Sequence, residues 1–335
     1  MTDLLAPLIG SATGIGSHPG TDPREAAATV VGELAVPYLP ELPARGLGAD
    51  MIGRSAGLLV DMGLDTSTTG YRIGVPAGRT AQLVVDHLRR DLDALEEAYE
   101  VAGRRGSGLV KTQAAGPLTL AAGLELPNGH RVPRDRGAMR DIADSLAEGL
   151  SRHVADLRAR CGADVVLQLD EPSMSAVVRG GVPALTRLDP IRAVPAPEAA
   201  ELLARVCEAV DAPVLLHLCG PVEWDVVRRV PVDGALVDVT RLSSADYDGF
   251  GALAESATVV GLGVVPPVPG DRPVAAEEAA APALRLYDEI GLPRRDLARA
   301  TVTPTCGLAG AAPERVRSAL ELAVRVSSVL HDPPE

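Results

Sequence analysis

Short apolar runs recur along the chain, each bounded by Gly, Pro or a polar residue and parted from the next by residues at helical spacing. Eight can be read: ATGIGS (12–17), VPYLPELP (36–43), GLVKTQAAGP (108–117), ADVVLQLDEP (163–172), APVLLHLCGP (212–221), DGALVDVT (233–240), ATVVGLGVV (257–265) and ARATVTPTCG (298–307). Runs of this length, rich in Val and Leu and closed by turn residues, have the pattern of buried strands. Between them, TDPREAAATVVGEL, ADMIGRSAGLLVDMG, Thr80 to Gly103, Asp135 to Cys161 and PEAAELLARVCEAV carry helical periodicity, and PERVRSALELAVRVSSVL ends the series as a helix. Asp22 ahead of Pro23 is a helix-start signal. Eight strands alternating with helices predict an α/β fold of the (β/α)8 TIM-barrel type. No break in composition divides the chain, so residues 1–335 are expected to form one domain, with 122–137 (AGLELPNGHRVPRDRG) as a long loop.

Barrels of this kind place their active sites at the C-terminal strand ends. Read in order, those ends offer Ser17 and His18, Glu41, Lys111 and Gln113, Asp170 and Glu171, His217 and Cys219, Asp238, and Cys306. Taken singly, each has an ordinary reading. A strand-end Asp commonly caps a helix, and a buried Cys behaves as a small hydrophobe. Two thiols, an imidazole and several carboxylates converging on one face point instead to chemistry.

The net charge of −13 argues against a nucleic-acid partner or an anionic membrane surface. Lys111 is the sole lysine. The opening MTDLLAPLIGSATG has no basic stretch before its short apolar run, and no run nears the roughly 18 residues needed to cross a bilayer. A cytoplasmic protein is the expectation. Its four cysteines are widely spaced, which in a reducing compartment favours metal or catalytic roles over disulfides.

His217 and Cys219 are two apart and so share a side of their strand. With Cys306 as third ligand and Asp238 as an exchangeable fourth, they form a borderline-soft donor set that suits Zn2+. HLC on its own reads more readily as a buried strand end.

The motifs IGSHPGTD, LPELPARG with ADM, AAGPLTL, LQLDEPSM, LLHLCG and TVTPTCGL, in that order, resemble the catalytic C-terminal domain of cobalamin-independent methionine synthase. More widely, they resemble the zinc methyltransferase and uroporphyrinogen decarboxylase superfamily of barrels. The resemblance runs from about residue 12 to residue 330. It implies a zinc-dependent methyltransferase acting on homocysteine, with zinc on His217, Cys219 and Cys306. The family's fourth ligand, a glutamate in Glu-x-x-Arg, falls on Asp238 of DVTR, with Arg241 as the arginine. The family's amino-acid contacts fall on Ile15, Ser17, Glu41 and Asp170, so that Asp170 is expected to touch substrate rather than metal.

Two departures bear on the methyl donor, a folate or a corrinoid, the latter free or on a corrinoid protein. The family's second, N-terminal barrel, which helps hold folate, is not expected, since residues 1–335 read as one barrel. The family's Asp-x-His after the seventh strand is replaced by GLGVVPPVPGD (261–271), without histidine. His18, beside Ser17, is the candidate substitute proton donor. A corrinoid donor would need no acid. Outside this class stand a uroporphyrinogen decarboxylase-like enzyme and a non-catalytic zinc- or thiol-binding relative.

Overall fold

The computed structural model describes residues 4–74, 76, 78–186, 188, 190–268 and 273–332. Its strands are β1 (Leu64–Ser67), β2 (Gly70–Ile73), β3 (Leu109–Ala115), β4 (Leu124–Glu125), β5 (Asp164–Asp170), β6 (Val214–Leu218), β7 (Gly234–Asp238), β8 (Val259–Val265) and β9 (Thr301–Pro304). Its helices are α1 (Pro23–Glu33), α2 (Met51–Ala56), α3 (Arg79–Val101), α4 (Pro117–Gly123), α5 (Arg136–Cys161), α6 (Met174–Arg179), α7 (Ala196–Ala209), α8 (Trp224–Val227), α9 (Tyr247–Ser256), α10 (Ala276–Ile290) and α11 (Pro313–His331). No helix among the described residues is long and apolar enough to cross a membrane.

Six strands pair in parallel in the order β3-β5-β6-β7-β8-β9. The sheet is carried round to a barrel by two irregular staves, which are the first two apolar runs of the sequence. Bridges join Ala12 to Val302, Ser17 to Glu41 and Tyr38 to Lys111. Backbone bonds from Thr13 to Val302 (3.1 Å), Glu41 to Gly16 (3.1 Å) and Lys111 to Pro37 (2.8 Å) run across the same seams. The second stave cannot form a continuous ladder, because Pro37 and Pro40 lack the N–H a ladder requires. Gly14 is needed where it stands, since a Cβ there would lie 2.2 Å from the Tyr38 ring.

Two parts of the sequence reading change. The helix expected over 49–63 is only the six residues of α2, capped by Asp50, whose Oδ1 accepts from Ile52 and Gly53, and ending at Gly57. A hairpin of β1 and β2 follows it, invisible to a search for apolar runs because Asp65, Thr66, Ser67 and Arg72 make up much of it. The loop at 122–137 contains β4, which pairs in parallel with β2, and the 3-10 turn Val132–Arg134. The Asp22 cap is as expected, its Oδ1 accepting from Arg24 (2.9 Å) and Glu25 (3.4 Å).

Alternation along the strands sorts side chains into two layers. On β6, Val214, Leu216 and Leu218 join the main core under the helices, whereas Leu215 points into the barrel. Inside, Val36, Leu109, Val166, Leu215, Leu236 and Val259 form an apolar floor at the strand starts. Leu5 and Leu8, from the turn ahead of the first stave, are wholly buried in this floor and plug the barrel base. Each such leucine contributes roughly 1.5–3 kcal/mol of burial. Above the floor the inner faces turn polar, and the site begins there.

Candidate metal centre

At the C-terminal end of β6, one ligand atom each from His217, Cys219 and Cys306 lie within 4.8 Å of one another. The two sulfurs are 3.7 Å apart. Cys219 is half-buried and Cys306, in the turn after β9, is exposed at the mouth. His217 is buried, and its Nδ1 lies 2.7 Å from Asp170 Oδ1. With Nδ1–H given to that carboxylate, Nε2 carries a free lone pair, and it is buried with no hydrogen-bond partner among the described residues. An orphaned buried acceptor ordinarily costs about 1–3 kcal/mol, so the arrangement fits a ligand that supplies the missing bond. The contact between the two sulfurs lowers the Cys306 thiol and raises that of Cys219, which burial raises further. One imidazole nitrogen and a thiol–thiolate pair fit zinc, and the carboxylate behind the histidine is the usual outer support of such a ligand.

Asp238 ends β7 but lies outside this three-residue group. Its Oδ1 accepts from Thr240 N (3.1 Å) and Thr240 Oγ1 (2.5 Å), and burial raises its pKa.

Glu41, from the second stave, is buried and takes Gln113 Nε2 at 3.1 Å on Oε1, with Arg54 Nε 3.7 Å away. Burial pushes it up to about 7, Arg54 opposing and Asp170 reinforcing the shift. Arg54 is in turn held by Asp91, which also takes a two-pronged contact from Arg45 (2.7 and 2.8 Å). Asp170 Oδ1 accepts both from His217 and from Gln168 Nε2 (2.7 Å). Asp170 therefore backs the histidine directly, a contact the sequence reading did not anticipate. Glu171 is drawn away to cap α4, accepting from Leu118 N, Thr119 N (both 2.9 Å) and Thr119 Oγ1 (2.7 Å).

The carbonyl of Ile15 is occupied by Lys111 Nζ (2.8 Å) and Gln168 Nε2 (2.9 Å), and its side chain joins the inner apolar cluster. Ser17 lies against the loop after β9, its carbonyl accepting from Leu308 N at 2.8 Å. His18 is buried with Nδ1 2.9 Å from Pro19 O and Nε2 unpartnered among the described residues. Burial lowers its pKa. Gln168 and Arg54 were missed from sequence; the only signals were a lone polar residue inside VVLQLD and a lone arginine in MIGRSAGLL.

The model of the cobalamin-independent synthase catalytic domain matches residues 10–328. The chain belongs to this family. Among solved structures it is similar to a B12-independent methionine synthase from Shewanella sp. W3-18-1 in complex with selenomethionine. That likeness has a TM-score of 0.62 at 11% identity, over 96% of this chain and 98% of that one. It is also similar to a methyltransferase from Methanosarcina mazei, with a TM-score of 0.58 at 16% identity, over 98% and 97%. No curated protein sequence matches significantly. At these identities the structural likeness speaks for the fold, which is the (β/α)8 barrel expected from the strand count. Family membership supports a methyltransferase.

Proposed function

We propose that the chain, taken as a single catalytic barrel, is a zinc-dependent S-methyltransferase that converts the thiol of homocysteine, or a similar amino thiol, to a thioether. The observation that carries this reading is the bare, buried His217 Nε2 grouped with the Cys219 and Cys306 sulfurs, beside two buried carboxylates. The selenomethionine in the Shewanella enzyme supports an amino-acid thioether as product.

His217, Cys219 and Cys306 would hold zinc, with Asp238 as the exchangeable fourth ligand once it turns from Thr240. When bound, zinc supplies the charge that keeps a substrate thiol as thiolate near neutral pH, where a free thiol of pKa near 8.5 is only a few per cent ionised. Asp170 holds the His217 ring in the tautomer that presents Nε2. Glu41 and the outer oxygen of Asp170 would take the substrate ammonium, and the backbone beside Ser17 its carboxylate. His18 can donate a proton to a leaving nitrogen only when Nε2 is protonated, which its burial opposes. The chain is therefore better equipped for a methyl donor that departs without a proton, such as a methylated corrinoid, than for methyltetrahydrofolate. A decarboxylase-like role would leave the paired thiols without a task.

Zinc content of the purified protein, followed by homocysteine methylation with the two donors in parallel, tests the reading. One zinc per chain and thioether formation are expected; a metal-free, inactive protein would refute it.

A further inference from the structure

Below the two carboxylates the barrel holds a cage built around the only lysine of the chain. Lys111 is wholly buried, and Nζ contacts Ile15 O (2.8 Å), Gln168 Oε1 (2.7 Å) and Gln113 Oε1 (3.3 Å), with the Tyr38 ring centroid 5.3 Å away. All three partners are oxygens that carry no hydrogen, so Nζ must supply three, which only the ammonium form can do. Burial pulls its pKa down to about 7, and Asp170 and Glu41 pull it back up.

The two glutamines make matching relays. Gln168 turns Oε1 to the ammonium and Nε2 to Asp170 Oδ1 (2.7 Å). Gln113 turns Oε1 to the ammonium and Nε2 to Glu41 Oε1 (3.1 Å) and Leu39 O (2.7 Å). A Cβ at residue 16 would strike the Gln113 side chain at 2.6 Å, so Gly16 leaves room for this arm. Without the ammonium, both Oε1 atoms would be buried acceptors with no donor, and each amide would be held from its Nε2 end alone, by Leu39 O for Gln113 and Ile15 O for Gln168.

We propose that Lys111 is a positioning residue that orients both carboxylates of the site at once, Asp170 through Gln168 and Glu41 through Gln113. One arm thereby sets the metal ligand His217 and the other sets the pocket for the substrate ammonium. The proposal rests on the function proposed above.

The test measures zinc affinity by competition with a chelating dye, and L-methionine affinity at saturating zinc by calorimetry. Gln168→Leu should weaken zinc about tenfold, the lower end for loss of an outer partner of a metal ligand. Gln113→Leu should weaken methionine while leaving zinc at the wild-type value. Lys111→Met should do both. Lys111→Met added to Gln168→Leu should weaken zinc no further, because both act along one path. Zinc and methionine affinities unchanged in Lys111→Met, with only a lower melting temperature, would overturn the proposal. Multiplying losses in the double variant would also overturn it. If Lys111→Met does not fold, the two glutamine variants decide, and equal effects of both on zinc refute separate arms. If wild-type protein binds no zinc, the metal reading fails by itself, and the methionine measurement still decides the Gln113 arm.

Discussion

Replacing Asp170 by Asn separates the two tasks its carboxylate would perform. Oδ1 accepts from His217 Nδ1 and from Gln168 Nε2, each at 2.7 Å. An Asn side chain has one acceptor oxygen, now uncharged. If that oxygen stays on His217, the amide nitrogen takes the place of the outer oxygen and presents hydrogens to the substrate ammonium. Loss of an outer carboxylate partner typically weakens a histidine-ligated metal by about 10–100-fold, or roughly 1.4–2.8 kcal/mol. Loss of a charge-assisted bond to the ammonium adds about 1.5–3 kcal/mol on the substrate side. The sequence alone had Asp170 touching substrate only, with zinc unaffected by its loss; the contact with His217 changes that expectation. Chelator competition should show weaker zinc, and calorimetry with L-methionine at saturating zinc should show weaker ligand. Wild-type zinc affinity in Asp170→Asn would refute the role of the Asp170–His217 contact. Wild-type methionine affinity would refute its role toward the ammonium.

Cys219→Ser and Cys306→Ser should each lose nearly all bound zinc by metal analysis, and full retention in both would remove the site. Methionine has no thiol to titrate, so its binding should report Glu41, which burial holds near 7. As pH falls from about 8 to 6 the carboxylate gains a proton and loses its charge, so affinity should drop; Glu41→Gln should bind weakly and lose this acid-side fall. A wild-type affinity flat over that range would exclude Glu41 as the ammonium partner. General acid help is worth about 10²–10⁴-fold, so without the family's histidine, turnover with methyltetrahydrofolate should trail turnover with methylcobalamin. Efficient folate-dependent turnover would overturn this and make His18 the acid to substitute next.

The barrel was legible because its strands are buried on both faces and so read as near-continuous apolar runs, even where Pro37 and Pro40 prevent a regular ladder. The hairpin of β1 and β2 was not, because it lies outside the barrel and its stability comes from tertiary pairing rather than an apolar pattern. HLC and TPTCG told where two sulfurs and an imidazole would meet, since strand period and barrel polarity together fix that. Nothing in the spacing of QLDEP could say that Asp170 backs His217, or that Glu171 turns aside to cap α4. Those are choices among side-chain rotamers, settled by neighbours far away in sequence. Lys111 drew notice as a polar strand residue and the sole lysine, but three of its four partners, Ile15, Tyr38 and Gln168, come from other staves.

Leu5 and Leu8 seal the base of an interior already packed with side chains, so the site is a cup open only at the C-terminal strand ends. A cup with one opening imposes an order on its contents: what sits deeper enters first and leaves last. The carboxylates that would grip the amino acid lie among buried strand residues, whereas Cys306 stands at the rim. A bulky donor arriving over the rim would therefore close the exit above a bound amino acid. Exchange should then be compulsory in sequence, amino acid before donor and spent donor out before product, however fast the chemistry between.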